Sequence, residues 1–463
     1  MKYDIMIIGS GPGGYVAAIR ASQLGKKVAI VEKAELGGVC LNWGCIPTKS
    51  LLKSAQVYNY AKHAADYGVK IDGKVNPDLA EMVKRSRGVA DGMSKGVQFL
   101  FKKNKIEVIN GFGKILPGKK VEVTDKDNNS TTYEADNIII ATGARSRELP
   151  NLKQDGKKII GYREALVLDK MPKSMVVVGS GAIGSEFAYF FNSIGVEVTL
   201  VEFLSNVIPL EDEEVSKALA RSFKKAKMKV MLDSSVEKVD ISGDVCKVSI
   251  NTKKGIVEVD ADIVLSAVGI APNIEGIGLE DVGIITENNK VKVDDFYQTN
   301  VPGYYAIGDI VHGPALAHVA SHEGITCVEK IAGIDVEPID YGNIPACTYT
   351  NPEVASVGMT DKQAIEAGYE IKVGKFPFSA SGKANAAGNK DGFIKVVFDV
   401  KYGEWLGCQM IGENVTEMIA EVVTARKLET TGHEIIKSIH PHPTMSEAVM
   451  EAVAAAYDEV IHL

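Results

Sequence analysis

The chain has 463 residues, 45% of them hydrophobic and 24% charged, with a formal net charge of −8. That length exceeds what one hydrophobic core holds, so two to four domains are expected. The acidic balance argues against a nucleic-acid backbone or an anionic membrane as main partner, and no apolar run is long enough to cross a bilayer.

The first residues lack the basic, apolar and small-residue series of a signal peptide, so a cytoplasmic protein is expected. Tyr3 to Ile8 reads as a short buried strand. Gly9, Gly11 and Gly14 follow, then a helical stretch from Tyr15 to Leu24, a stop at Gly25 and a second strand from Val28 ending at Glu32. The same series recurs from Met175: strand, then Gly179, Gly181 and Gly184, a helix stopping at Gly195, and a strand from Val196 to Val201 ending at Glu202. In both copies the first glycine precedes the stop glycine by 16 residues and the acid by 23. The first glycine suits a tight strand-to-helix turn, the second lets a pyrophosphate approach the backbone, and the third lets helix pack on strand. A diphosphate then meets the free N–H groups of a helix N-terminus, and the terminal acid accepts hydrogen bonds from a ribose diol. Two such units imply two dinucleotides. A carboxylate at Glu202 would repel the extra phosphate of NADP, and residues 203–206 hold no Arg or Lys to bind one, so the second is expected to be NAD.

Of six cysteines, at 40, 45, 246, 327, 347 and 408, only Cys40 and Cys45 are close in sequence. No His/Cys cluster has the spacing of a metal site, and the other four cysteines are expected to be core residues or inert thiols. Five steps of ideal helix span about 7.5 Å, more than a disulfide allows, so the chain between Cys40 and Cys45 must bend, which Gly44 permits. Pro47 suits the first turn of a helix, so the helix carrying Lys49 is expected to begin near Cys45, where the positive helix end favours a thiolate. The alternatives are a structural disulfide or two free thiols; a redox pair fits a glycine-rich loop beside a cofactor fingerprint better. A dithiol gives up electrons by thiolate attack and NAD accepts hydride, so a flavin is expected between them and the first dinucleotide is FAD. Near the chain's end, prolines flank His442 and Glu447 stands five residues on, placed to orient a ring that exchanges protons with a thiol.

The segment Cys40 to Lys49 resembles the active-site motif of the two-cysteine flavin disulfide reductases, and the resemblance covers essentially the whole chain. It implies an α/β fold with two Rossmann-like dinucleotide-binding domains, for FAD and NAD, plus a C-terminal α+β dimerisation domain. The expected parts are an FAD-binding domain over 1–145, an NAD-binding domain over 146–270, a central segment over 271–340 that completes the FAD site, and the interface domain over 341–463. It implies FAD contacts at Gly113, at Thr142 and Gly143 where the chain leaves the first domain, and at Asp309, whose carboxylate binds the ribityl chain. Gly13, Lys33 and Gly38 are further expected FAD contacts, and Ala182, Ile183, Val236 and Gly269 further NAD contacts. Lys49 and Glu186 correspond to a pair beside the reactive edge of the flavin. The segment from His442 to Glu447 resembles the family's base, which reaches the disulfide of the other subunit and so implies an obligate homodimer; His440 is expected to support or pack.

Within the family, the branch that oxidises dihydrolipoamide is matched best. Glu202 disfavours the NADP-dependent branches, Leu316, Ala317 and His318 resemble that branch's flavin contact, and the terminal Val460 to Leu463 lacks a redox cysteine pair. The implied reaction is oxidation of protein-bound dihydrolipoamide to lipoamide, with NAD reduced to NADH. The implied partner is a lipoylated acyltransferase or glycine-cleavage carrier protein. A reductase of another small disulfide would keep the same cofactors and cysteines. Two departures from the common pattern are Trp43, where a smaller aliphatic residue is usual, and Ile270 to Asn273, which lacks an arginine. The stretch Phe378 to Asp391, rich in Ser, Ala, Gly and Asn, is expected to be an exposed loop.

Overall fold

The computed structural model describes residues 2–463. Its first unit is the strand β1 (Lys2–Ile8), the helix α1 (Pro12–Gln23) and the strand β2 (Val28–Glu32). β1 and β2 pair in parallel, Ile5 opposite Val28 and Ile8 opposite Val31. All five residues of β2 are buried, as near-continuous apolar runs require when helices cover both sheet faces. The sheet continues through Glu107–Asn110 on one side and Ser130–Ile140, Lys120–Thr124 and Phe112–Leu116 on the other. A distant strand, Tyr304–Ala306, joins it by pairing in parallel with Ser130–Ile140. The chain therefore returns to the first sheet after building the second.

The second sheet is parallel, in the order Lys229–Met231, Glu197–Val201, Ser174–Val178, Ile263–Ser266, Ile159–Ile160. A three-stranded antiparallel sheet, 235–261, flanks it. The C-terminal part is a five-stranded antiparallel sheet covered by the helices Val415–Lys427 and Glu447–Ala456.

Between these layers run α2 (Gly38–Trp43), α3 (Cys45–Lys62) and α4 (Leu79–Lys103). Leu51 and Leu52 of α3 enter one core with Phe187, Phe190 and Phe191 of the helix Ala182–Ser193 and with Val354, Phe393 and Ile411 of the C-terminal sheet. Burying a leucine contributes about 1.5–3 kcal/mol, so this packing pins α3, and with it Cys45, against the other two layers. Among the described residues no helix is long and apolar enough to cross a membrane.

The stretch Phe378 to Asp391 is not an exposed loop. It forms a 3-10 turn, Phe378–Ala380, and a short helix, Gly382–Ala387, whose Ala384 N–H is capped by the Ser381 hydroxyl. Phe378 is fully buried in the C-terminal core. Small polar residues here serve a helix cap, which composition alone does not separate from a loop.

Candidate active site

One cavity of about 1640 Å³ runs from the first fingerprint, past both close cysteines, to the second fingerprint. Its wall includes Gly9, Gly11, Gly13, Glu32, Lys33, Gly38, Gly113, Thr142, Gly143, Asp309, Leu316 and Ala317 on one side. On the other stand Gly179, Gly181, Ala182, Ile183, Glu202, Val236 and Gly269. Cys40, Cys45, Lys49 and Glu186 line the middle.

The two fingerprints are geometrically equivalent. Gly9 and Gly179 have φ of +103° and +95°, and a Cβ on either would lie 2.2 or 2.4 Å from a backbone oxygen, of Ala141 or Ala267. Gly14 and Gly184 lie off the cavity wall because they serve packing: a Cβ there would stand 1.9 Å from the carbonyl of Gly9 or Gly179. Gly11 and Gly181, the N-caps of α1 and of Ala182–Ser193, would meet nothing within 4 Å. A side chain there would enter the cavity where a diphosphate lies on the helix end. The terminal acids are held alike. Glu32 accepts from the Ser10 N–H at 2.9 Å, the Ser10 hydroxyl at 2.7 Å and the Ala34 N–H at 2.9 Å. Glu202 accepts from the Ser180 N–H and hydroxyl, both at 2.8 Å, and from the Leu204 N–H at 2.9 Å. Three donors occupy three of about four acceptor positions of a carboxylate and leave capacity for a ribose hydroxyl. Next to Glu202 in sequence, Phe203 and Leu204 line the cavity, both exposed.

Asp309 fits a polyol. It lines the cavity half-buried, and burial pushes its carboxyl up, with only Lys290 opposing. The segment 142–143 is clasped to the returning chain: Thr142 donates to the Asn273 carbonyl at 2.7 Å and the Asn273 amide returns a bond to the Thr142 carbonyl at 3.0 Å. These cradles fit FAD on the first fingerprint and NAD on the second. His318 departs from expectation. Its ring nitrogen Nε2 lies 3.0 Å from the Pro345 carbonyl, and the residue is absent from the cavity wall, so only Leu316 and Ala317 of that trio face the cavity.

The cysteines sit at a helix break. Cys40 lies in α2 and Cys45 is the first residue of α3, with Gly44 between at φ −143° and ψ −114°. A Cβ at Gly44 would stand 3.1 Å from the Val39 carbonyl, so glycine permits the close return. The Cys40 thiol donates to Cys45, which holds Cys45 low, helped by Lys49 and by its own N–H against the opposing effect of burial. The same hydrogen bond, with burial, drives Cys40 far upward. The Cys40 hydrogen bond and Lys49 both favour Cys45 as the thiolate of the pair.

Lys49 places its ammonium 2.9 and 2.8 Å from the two Glu186 oxygens and 4.3 Å from the Tyr349 ring centroid. Glu186 also accepts the Tyr349 N–H at 2.9 Å and is almost fully buried. It stands in the second turn of Ala182–Ser193. Trp43 also lines the cavity, its ring faced by the guanidinium groups of Arg87 at 4.2 Å and Arg163 at 5.2 Å.

His442 and Glu447 form the expected pair, Nδ1 lying 2.8 Å from Oε1. The second Glu447 oxygen accepts the Thr444 N–H at 2.8 Å. Against burial, that N–H and the His442 ring hold the Glu447 carboxyl below its usual range. The His442 side chain is 78% exposed, and neither residue lines the cavity of its own chain. His440 is tied to Glu421 at 2.8 Å and to the Ser438 carbonyl at 3.1 Å. Three groups at this site were not singled out from sequence: Ser10 and Ser180, marked by the shared Gly-Ser-Gly of both repeats, and Tyr349, which carried no signal.

A model of the pyridine nucleotide-disulphide oxidoreductases matches residues 3–324, and that of their dimerisation domain matches residues 344–453. The chain belongs to the pyridine nucleotide-disulphide oxidoreductase family. This oxidoreductase is 49% identical to the dihydrolipoyl dehydrogenase of Rhizobium etli, covering 100% of this chain and 99% of the relative. It is 43% identical to the Bacillus subtilis dihydrolipoyl dehydrogenase over 100% and 99% of the two chains. Among solved structures it superposes on LpdA of Mycobacterium tuberculosis with a TM-score of 0.91 at 26% identity, covering 98% and 99% of the chains. The oxidoreductase thus has the family's fold, its FAD and NAD cofactors and its disulfide redox centre, and the dimerisation domain makes it a homodimer.

Proposed function

We propose that this oxidoreductase is a dihydrolipoyl dehydrogenase in which Cys40 is the interchange thiol and Cys45 the thiolate facing the flavin. The observation that carries the assignment is the placement of Cys40 and Cys45 on either side of a helix break, beside the Lys49–Glu186 pair, in a cavity that joins both fingerprints.

In the oxidised enzyme Cys40 and Cys45 share a disulfide. His442 of the partner subunit, oriented by Glu447, takes a proton from one dihydrolipoamide thiol. The thiolate attacks Cys40 Sγ, forming a mixed disulfide and releasing Cys45 as thiolate. The second substrate thiol, deprotonated in turn, attacks the substrate sulfur bound to Cys40. The cyclic disulfide leaves, and Cys40 takes the proton. Two electrons now reside on the cysteine pair, held by the Cys40 hydrogen bond and the Lys49 charge. FAD, when bound, supplies the group that accepts an electron pair from a thiolate and yields it as hydride to NAD. Gly9, Gly11, Gly13, Glu32, Gly38, Gly113 and Asp309 would hold FAD, and Gly179, Gly181, Glu202, Val236 and Gly269 would hold NAD. Lys49 and Glu186 balance charge between them.

The partner is a lipoyl group on an acyltransferase or glycine-cleavage carrier, and the location is cytoplasmic. His442, exposed and outside its own chain's cavity, supports a base shared across the dimer. Substrate profiling tests the reading. Dihydrolipoamide with NAD should turn over far faster than NADH with small disulfides such as those of coenzyme A; the reverse order would move the function to that other disulfide.

A further inference from the structure

Behind the Asp309 turn lies a buried carboxylate that the reaction leaves unused. Glu323, on the helix Ala317–Ile331, is 2% exposed. One oxygen accepts the Gly308 N–H at 2.6 Å and the other accepts the Tyr341 hydroxyl at 2.8 Å. The Tyr297 hydroxyl stands 3.2 Å from that of Tyr341. The Tyr341 ring lies over the next turn, where a Cβ on Gly313 would come within 2.8 Å of it. Gly308 has φ +77°, a left-handed backbone that aims its N–H back at Glu323 and sends the chain on into Asp309. Glu323 forms no ion pair among the described residues: its carboxyl rests on two neutral donors, and burial pushes it up against their effect. Simple helix-to-turn packing does not need a carboxylate, and burying one without a strong interaction is costly.

We propose that Glu323 is a positioning residue for FAD. One oxygen fixes the Gly308–Asp309 turn from behind, and Tyr341 holds the other, keeping the carboxyl group in the orientation that does so. This rests on the reading that Asp309 binds the ribityl chain. Glutamine keeps both contacts, its oxygen accepting the Gly308 N–H and its amide donating to the Tyr341 hydroxyl. Alanine loses both, and Tyr341→Phe loses one.

The test is FAD binding to the apoproteins of wild type, Glu323→Ala, Glu323→Gln and Tyr341→Phe, followed by flavin fluorescence. The Kd should rise roughly tenfold or more for Glu323→Ala, stay within about threefold for Glu323→Gln, and fall between for Tyr341→Phe. Tyr341→Phe leaves the carboxylate in place and keeps the test readable should Glu323→Ala fail to fold; a wild-type Kd for it would then overturn the proposal. So would Glu323→Ala binding FAD as wild type does, or Glu323→Gln as weak as Glu323→Ala. Wild-type apoprotein that bound no FAD would instead sink the flavin reading itself.

Discussion

Replacing Glu447 by glutamine should slow the thiol half-reaction and leave the flavin half-reaction alone. Taking the substrate proton turns His442 into a cation, and Glu447, 2.8 Å from its Nδ1, is the anion that stabilises it. A hydrogen bond to a charged partner contributes about 1.5–3 kcal/mol, against about 0.5–1.5 for a neutral one. With His442 78% exposed in the single chain, solvent screening puts the difference at the low end. Glu447→Gln should therefore cost about 1 to 1.5 kcal/mol, roughly five- to tenfold in rate. His442→Gln, which removes the base, should cost roughly 10²- to 10⁴-fold. The Glu447 carboxyl is held below its usual range, so its contribution is complete above the ordinary carboxylate pKa. It is lost only as pH falls through the lowered value. The Glu447→Gln deficit should accordingly be constant from neutral to alkaline pH. Rapid mixing with dihydrolipoamide reads the first half-reaction, and reduction of the bound flavin by NADH reads the second. Equal losses in both, or a Glu447→Gln deficit as large as that of His442→Gln, would refute the role given to the carboxylate.

Cys45→Ser should abolish lipoamide turnover while retaining FAD; loss of the flavin on purification would make the segment structural. Alkylation of the reduced enzyme across pH should show the Cys45 thiolate persisting below the ordinary thiol range. Cys40→Ala should raise its pKa more than Lys49→Met does, because the Cys40 hydrogen bond is the larger stabilising influence; the opposite ranking would contradict the role given to that hydrogen bond. Glu202→Arg should shift the ratio of kcat/KM toward NADP, and an unchanged ratio would remove the basis for NAD preference.

What the sequence made legible was whatever chemistry forces at fixed spacing. The tight turn and the helix packing demand glycines where a Cβ would meet the carbonyls of Ala141, Ala267, Gly9 and Gly179, and a diphosphate on the helix end demands Gly11 and Gly181, so both fingerprints could be read. Pro47 and Gly44 likewise located the helix start at Cys45. Contacts set by tertiary packing could not be read. Glu186 and Lys49 look like surface charges in isolation, and only the approach of α3 to the second fingerprint helix buries them together. Tyr349 and Glu323 act through backbone N–H groups that leave no residue pattern. His318 faces Pro345 because a motif of three residues does not say which side chain turns inward.

The central claim is that electrons pass from dihydrolipoamide through Cys40 and Cys45 to the flavin and on to NAD. Anaerobic titration of the FAD-loaded dimer with dihydrolipoamide, followed by visible absorbance, tests it most directly. The account predicts a long-wavelength band from the Cys45 thiolate beside oxidised flavin at two electrons per subunit, then NADH on adding NAD. A spectrum that dihydrolipoamide leaves unchanged, in protein whose flavin NADH still reduces, would contradict it.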